Sequence, residues 1–469
     1  MPPPETPPVT PSETPSETPS ETPPETAPLT PSRPRAKDLA KDLSATATMS
    51  TAPEPGRLGG IPMPERTPDS TFGQYVVAWA KRIRYGESGV LPVVGGLILL
   101  VIIFQIQDSV FLSAGNLTNL LVQGSVFILL GMAEVWVLIL GEIDLSAGYN
   151  AGVGAVITAI LASPQHNFPW WLAIIIGMVA TAAIGALWGV LVIHLHLPSF
   201  VVTLAGLLAL EGLLLYLVNA YGSGGTIRIT SSVLNDITNG NLSPVAGWII
   251  GVASVAAFGA VTLIKDGRRR SSGLVAPPLA ITLLKIGGVA ASVVVLILIC
   301  NTNRGELVPL KGVPYVVLVI GGFLVLYSFV LGRTRFGRYQ YAIGGNAEAA
   351  RRGGVSLGWN RLWAFTLAGC TAGAAGIVYA SRLGSISNNI DGGQLVLYAV
   401  AAAVIGGTSL FGGRGKMVHA LLGGLVIATI YNGMGLLGLA ASYQYMVTAL
   451  VLLAAVTIDA LARRGRTSS

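Results

Sequence analysis

Four carboxylates set inside or at the edge of long apolar runs are the first groups in this chain with the makings of chemistry. Glu134 stands in the middle of LLGMAEVWVLILG, Glu142 and Asp144 follow at the end of that run, and Glu211 lies within the apolar stretch 200–219. A carboxylate withdrawn from water is costly unless it is protonated, paired or hydrogen-bonded. No Lys or Arg shares these runs as a partner, and Lys285 falls near the edge of a different one. The carboxylates are therefore either protonated or capped by backbone N–H and hydroxyl groups, and they also permit a carrier driven by H⁺ or Na⁺. Asp144, two residues before Ser146 and ahead of a small-residue run, reads as a helix N-cap.

Enzyme chemistry finds little support. Gly415-Lys416 is followed by Met417, with Leu410 where the first glycine of a nucleotide-binding GxxxxGK[ST] loop belongs. No HExxH or GxSxG stands in an apolar run. Cys300 and Cys370 are each isolated, so neither a disulfide framework nor a zinc site is expected. His194 and His196 are spaced i,i+2 and point to different helix faces, which argues against a shared metal. The expectation is a chain without catalytic residues, metal or cofactor of its own.

The polar segment GRTRFGRYQYAIGGNAEAARRGGVSLGWN, residues 332–360, carries a second kind of signal. Within it, residues 347–353 form an Ala-rich run opened by Glu348 and followed by Arg351 and Arg352, the charge order that suits a helix macrodipole. Gly353 and Gly354 then end it. The spacing predicts a short amphipathic helix standing off the membrane, a natural docking element for a soluble partner.

The elements that position these groups follow from composition. Only 11% of the 469 residues are charged and 52% are hydrophobic, too little charge to cover a soluble domain. Residues 1–85 read as a disordered cytoplasmic tail rich in Pro, Thr, Ser and Glu, with the near-repeat PSETPSETPSETPPET at 11–26. It contains no apolar core of the kind a signal peptide carries. Residues 86–469 form the membrane domain, an all-α polytopic bundle of about 10–12 helices, since each crossing of a ~30 Å hydrocarbon core takes about 20 apolar residues. Twelve candidate spans emerge, at 89–107, 117–140, 147–163, 170–193, 200–219, 248–264, 280–300, 313–332, 361–381, 395–411, 417–439 and 443–461. The third and tenth are short and Gly-rich, as re-entrant or broken segments are.

Charge asymmetry supplies the orientation. With the N-terminus inside, eighteen Lys/Arg fall on cytoplasmic segments and four, Arg228, Arg304, Lys311 and Arg382, on outer ones. Both termini are then cytoplasmic, and 220–247 and 382–394 are the polar outer segments. Trp170 and Trp171 beside Pro169 read as interfacial anchors, and the glycines at 148, 152, 369, 373 and 376 as seams for close helix approach. The net charge of +7 is spread between apolar runs, which points to anionic headgroups and cytoplasmic partners and away from nucleic acid.

Several of these stretches carry a resemblance. Glu348-Ala349-Ala350, three residues and Gly354 match the EAA-x3-G pattern of ABC importer permeases. Thr334-x-Phe336-Gly337-Arg338 with Ala342-Ile343-Gly344-Gly345-Asn346 resembles the permeases of ribose, xylose and galactose importers, as do Asn116-Leu117-x-Asn119-Leu120, Ile143 to Gly148 (IDLSAG), Leu197 to Leu204 (LPSFVVTL) and Ile405 to Gly415 (IGGTSLFGGRG). The family's Gly-Gly-Ile-Asp-Leu-Ser stands here with Glu142 in place of its second glycine. The extra basic loop and apolar span at 265–312 are similar to the longer xylose-type permeases.

The resemblance implies a multi-pass inner-membrane permease, two copies forming the pore. A periplasmic or extracellular sugar-binding protein would deliver the solute, and a cytoplasmic ATPase would bind ATP and Mg. Residues 333–358 would be the coupling loop, with Glu348, Ala349, Ala350, Gly354, Arg351 and Arg338 meeting the ATPase. A sugar path needs amides, carboxylates and aromatic faces, and Glu134, Asn119, Gln123, Trp136, Tyr398, Tyr431 and Asn432 are such groups on spans. Glu142, Asp144 and Ser146 are assigned structural or gating roles. An ion-coupled secondary transporter, or an ABC permease for a branched-chain amino acid or autoinducer, are the alternatives.

Overall fold

A computed structural model describes residues 91–467 apart from 275 and 306–308. The expected tail, its boundary at 85 and the flanking cations Lys81, Arg82 and Arg84 lie outside the described residues.

Each of the twelve apolar runs is helical. In chain order the spans are α1 (Leu91–Gln107), α2 (Ala114–Leu138), α3 (Ala147–Leu161), α4 (Trp170–Leu195) and α5 (Ser199–Tyr221). After β1 (Thr226–Arg228) and α6 (Ser232–Asn239) come α7 (Pro244–Ser271), α8 (Leu279–Asn301) and α9 (Tyr315–Arg333). The polar loop folds as α10 (Arg335–Gly345) and α11 (Ala347–Arg352). It leads to α12 (Leu357–Leu383), β2 (Ser385–Ser387), α13 (Gly392–Ile405), α14 (Met417–Leu436) and α15 (Ala441–Thr467). Among the described residues, eight helices are long and apolar enough to cross a membrane.

The two runs singled out as short are short for a reason. α3 has 15 residues and α13 has 14, about 22 and 21 Å of helix, less than the ~30 Å hydrocarbon core. Their N-terminal ends meet inside the bundle. A Cβ on Gly148 would lie 1.9 Å from the Gly392 carbonyl oxygen, and one on Gly392 would strike the Tyr149 ring. At Gly152 the neighbour is Leu214, two-thirds of the way along α5. These helices begin against protein, where chain breaks are tolerated because neighbours satisfy the freed backbone groups.

α2 is the axis of the bundle, buried against α12, α13 and α14 along most of its length. Without a hydrophobic driving force between helices in lipid, close backbone approach has to hold them together. A Cβ on Gly423 would be 1.7 Å from the Ala402 carbonyl oxygen, and one on Gly376 would be 1.8 Å from that of Ala151. The seam expected around residues 369–376 is therefore present. Gly369 and Gly373 face Thr181 of α4.

Beyond the ends of the long helices the two polar stretches at 220–247 and 382–394 form one layer. β1 pairs antiparallel with β2, Ile227 opposite Ile386. α6 packs beside them, Thr238 N–H donating to Ser381 Oγ at 3.2 Å and Asn239 Nδ2 to the Ser381 carbonyl at 2.9 Å. Neither this sheet nor α6 is foreseen by the sequence reading, because three-residue strands and an eight-residue helix carry too little periodicity. At the opposite, basic end, the expected short helix forms as α11 and is anchored to the bundle. Ala350 and Ile343 are buried with Leu140 and Ala364.

Candidate functional site

Two regions bring together the residues that could do work, and α2 runs through both. Near its start, Ser113 caps the helix by accepting the Asn116 N–H at 3.2 Å. Asn116 then faces Asn432 of α14, the two amides exchanging hydrogen bonds of 2.9 and 3.0 Å, and Asn432 Nδ2 donates onward to Gln123 at 3.5 Å. All three are buried. One turn below Gln123, Phe127 meets Tyr398 of α13 at 5.3 Å and Tyr431 of α14 at 5.7 Å between ring centroids, both edge-on. Gln394 donates to the Tyr398 hydroxyl, and Tyr445 of α15 donates to Gln394 Oε1 at 3.1 Å. Amide groups and aromatic edges thus form a continuous seam between α2, α13 and α14.

This seam takes in Gln123, Tyr398, Tyr431 and Asn432 from the sequence-derived path, and leaves others out. Asn119 is exposed, because Asn116 and Gln123, seven apart, share one helix face while Asn119 lies some 40–60° round. Asn116 takes its place; the i,i+7 spacing was the available signal. Trp136 meets Tyr327 of α9 edge-on at 5.2 Å and Phe336 of α10 at a tilt at 5.8 Å between ring centroids, toward the basic end. Glu134 lies about 30 Å of helix from the start of α2. It is fully buried, and neither of its oxygens has a hydrogen-bond partner among the described residues.

The break between α2 and α3 is stitched rather than loose. Asp144 Oδ1 accepts from the Ser146 N–H at 2.9 Å and the Ser146 hydroxyl at 2.6 Å. Asp144 thus caps the turn ahead of α3, while Ser146 itself is the N-cap residue. The Ile143 and Leu145 N–H groups donate to Ser199 Oγ at 3.2 Å and Thr203 Oγ1 at 3.1 Å, both at the start of α5. Glu142 pairs with Arg361 at the start of α12, 2.9 Å apart. Ser199, Thr203 and Arg361 were not among the site residues read from sequence, although the first two stand in the quoted LPSFVVTL stretch.

The basic end is the second region. Thr334 caps α10 by accepting the Gly337 N–H at 3.2 Å, and Gln340 Nε2 donates to the Asn360 carbonyl at 3.1 Å. The Tyr341 hydroxyl donates to the Gly415 carbonyl at 2.7 Å, and burial pushes that phenol above its ordinary pKa. The Gly413 N–H donates to the Ile139 carbonyl at 2.8 Å. Gly344 lies so close to the same carbonyl that a Cβ there would sit 1.8 Å from its oxygen. α10 is thereby fixed to the foot of α2, to the start of α12 and to the turn at 406–416. Gly412 and Gly413 adopt φ of +83° and +73° in that turn, conformations that glycine supplies without steric cost.

α11 continues from this anchor. Asn346 caps it, accepting the Ala349 N–H at 2.9 Å, and Gly354 closes it at φ +81°. Glu348 is held between Arg351 and Arg352 at 2.9 and 3.0 Å on the outward face. Arg338, Glu348, Ala349 and Arg351 are exposed; Ala350, grouped with them from the sequence motif, turns into the bundle. The six-residue helix therefore has an anchoring side and a presenting side.

Comparison with known proteins agrees with this architecture. The xylose transport system permease protein of Escherichia coli (strain K12) is 35% identical over 376 residues, 80% of this chain and 92% of that protein. The D-allose transport system permease protein of the same organism is 29% identical over 387 residues, 82% and 94% of the two chains. Its ribose import permease protein is 29% identical over 363 residues, 77% and 91%. No solved structure matches the chain. Residues 116–456 match the family described as the branched-chain amino acid transport system / permease component, and the chain belongs to that family of membrane permeases.

Proposed function

We propose that the chain is the permease subunit of an ATP-driven importer and forms the transmembrane path for a monosaccharide of the xylose or ribose kind. The observation that carries the coupling half of this reading is the single helix α2. Its foot is clamped by α10 through Ile139, and its upper half bears Asn116, Gln123 and Phe127. A push on α11 by a partner at the basic end is passed to the amide–aromatic seam as a rigid-body displacement. Amides suit the hydroxyls of a sugar, and ring edges and faces suit its C–H surface, so the seam is a fitting passage once α13 and α14 part from α2. The relatives named for xylose, allose and ribose transport support this solute class. In this reading a cytoplasmic ATPase binds ATP and Mg, and a binding protein presents the sugar above the β1–β2 layer. A second copy completes the pore in the inner membrane, with both termini cytoplasmic.

The test is uptake of radiolabelled xylose by cells that lack their own pentose permeases and express this chain together with a pentose-importer ATPase and binding protein. Uptake should stop when ATP is depleted, persist when a protonophore collapses the ion gradient, and yield to unlabelled pentose but not to leucine. The opposite dependence would make the chain an ion-coupled carrier, and leucine competition would make it an amino-acid permease. Glu348→Lys should abolish uptake while the chain still inserts. A cysteine at exposed Ala349, rather than at inward-facing Ala350, is the position to cross-link to the ATPase.

A further inference from the structure

We infer that the chain holds an anionic phospholipid in a groove between the α7–α8 hairpin and α9, its headgroup at the basic end. This inference rests on the membrane fold alone and stands whatever solute is carried. α7 and α8 are packed on one another, Gly251 against Ile297 and Gly259 against Ile286. The hairpin joins α9 at the far end, where Val313 lies 3.3 Å from a Cβ built on Gly247. Arg304 fastens that end, donating to the Cys300 carbonyl, to Asn241 Oδ1 at 3.1 Å and to the Gly312 carbonyl at 3.1 Å. Between hairpin and α9 lies a groove of about 820 Å³, walled by Ile250, Val293, Ile297, Val325 and Phe329, with Ser254 its one polar side chain. Gly321 and Gly322 form its floor, and a side chain built on either meets no atom within 4 Å.

The groove has the dimensions and the charge of a lipid site. From Val317 to Phe329 is about 18 Å of helix, close to the ~15 Å that one leaflet of a ~30 Å hydrocarbon core provides. Both helices carry cations beyond the same end of the groove, α9 within one turn of it and α7 further along. On α9 the groove face runs through Gly322, Val325 and Phe329, and Arg333 follows one turn on, exposed. On α7 the groove lining ends at Ser254, and the same helix face continues beyond it through exposed Phe258 and Val261 to Lys265, about 16 Å further on, and Arg268, with Arg269 and Arg270 adjoining. The acid in that run, Asp266, is buried and accepts from Thr282 Oγ1 at 2.7 Å, so it faces the hairpin rather than the headgroup zone. An apolar trough in the membrane with a cationic mouth selects acyl chains by burial and an anionic headgroup by charge.

The test uses the full-length chain purified in mild detergent, stripped of lipid and titrated with dioleoyl-phosphatidylglycerol or dioleoyl-phosphatidylcholine, bound lipid being counted by native mass spectrometry. One phosphatidylglycerol per chain is expected, with about tenfold preference over phosphatidylcholine. The groove-filling double variant Gly321→Phe/Gly322→Phe should lose both lipids. R268Q/R269Q/R270Q should keep a bound lipid but bring the preference close to one; an unchanged melting temperature certifies that each variant is folded. Equal binding of both lipids by the native chain, or undiminished phosphatidylglycerol on the filled groove, overturns the proposal. So does a filled groove that keeps its lipid but breaks a dimer into single chains, which would assign the face to a second copy.

Discussion

The two sides of this molecule are built on opposite uses of glycine. Around α2, the apolar windows of α2, α12 and α14 are 83%, 67% and 72% buried, and glycines there are threaded against backbone carbonyls. In the α7–α9 rim the corresponding figures are 17%, 11% and 22%, and Gly287, Gly288, Gly321 and Gly322 face open space. The rim is the more apolar of the two, with mean hydropathies of 2.0, 2.6 and 2.3 against 1.9, 1.4 and 1.5 in the core, so greater hydrophobicity does not bring greater burial. What distinguishes them is whether a missing Cβ lets another helix in. In lipid that close approach is a principal source of helix adhesion, so the core is a cohesive unit and the rim is a hairpin fastened mainly at its far end.

The strongest way to break the comparison is one leucine placed in each region. Gly423→Leu drives a Cβ to 1.7 Å from the Ala402 oxygen and should cost at least about 3 kcal/mol, seen as a collapse in folded yield and melting temperature in detergent. Gly322→Leu should leave the melting temperature unchanged or raise it slightly, since it meets no atom and improves helix propensity. Equal damage from both would mean that the rim is as tightly packed as the core.

The next test separates cohesion from coupling. Gly344→Val displaces α10 from the Ile139 carbonyl without touching the α2–α14 seam. Sugar uptake should fall by about tenfold or more while ATP hydrolysis by the assembled complex continues. Unaltered uptake would show that the foot of α2 carries no force.

Within the seam, Asn432→Leu strands the buried amides of Asn116 and Gln123 and should cost about 1–3 kcal/mol of stability. It should also raise the KM for uptake about tenfold. A stability loss with KM unchanged would reduce the seam to a packing device. The mildest change is Glu142→Gln, which removes a partly exposed ion pair with Arg361. It should lower stability by about 1 kcal/mol or less, and high salt should reproduce part of the loss in the native chain.

The legible parts of this chain were those with a repeating pattern or a local rule. Each apolar run became a helix because backbone groups in hydrocarbon have few other ways to be satisfied. The short third and tenth runs gave themselves away by length, and the α11 helix by its charge order and terminal glycines. Less legible was which side of a helix does what. Ala350 sits in the same three-residue motif as Glu348, yet it is an anchor. Asn119 and Asn116 stand three apart, and the less obvious one joins the amide network. Asp144 reads as a cap, and the structure shows that it caps through Ser146 while Ser199 and Thr203, more than fifty residues away, hold the chain around it.

The amino-acid sequence by itself determined the membrane class, the helix list, the cationic end and the position of the polar loop, because each depends on composition or on spacing within a single segment. Only the tertiary structure decided that α3 and α13 start against each other inside the bundle, that two distant polar stretches pair as β1 and β2, and that α10 grips the foot of α2. Those facts are contacts between segments of similar composition, and adhesion between apolar helices in lipid depends on the fit of one surface to another, which no single segment encodes.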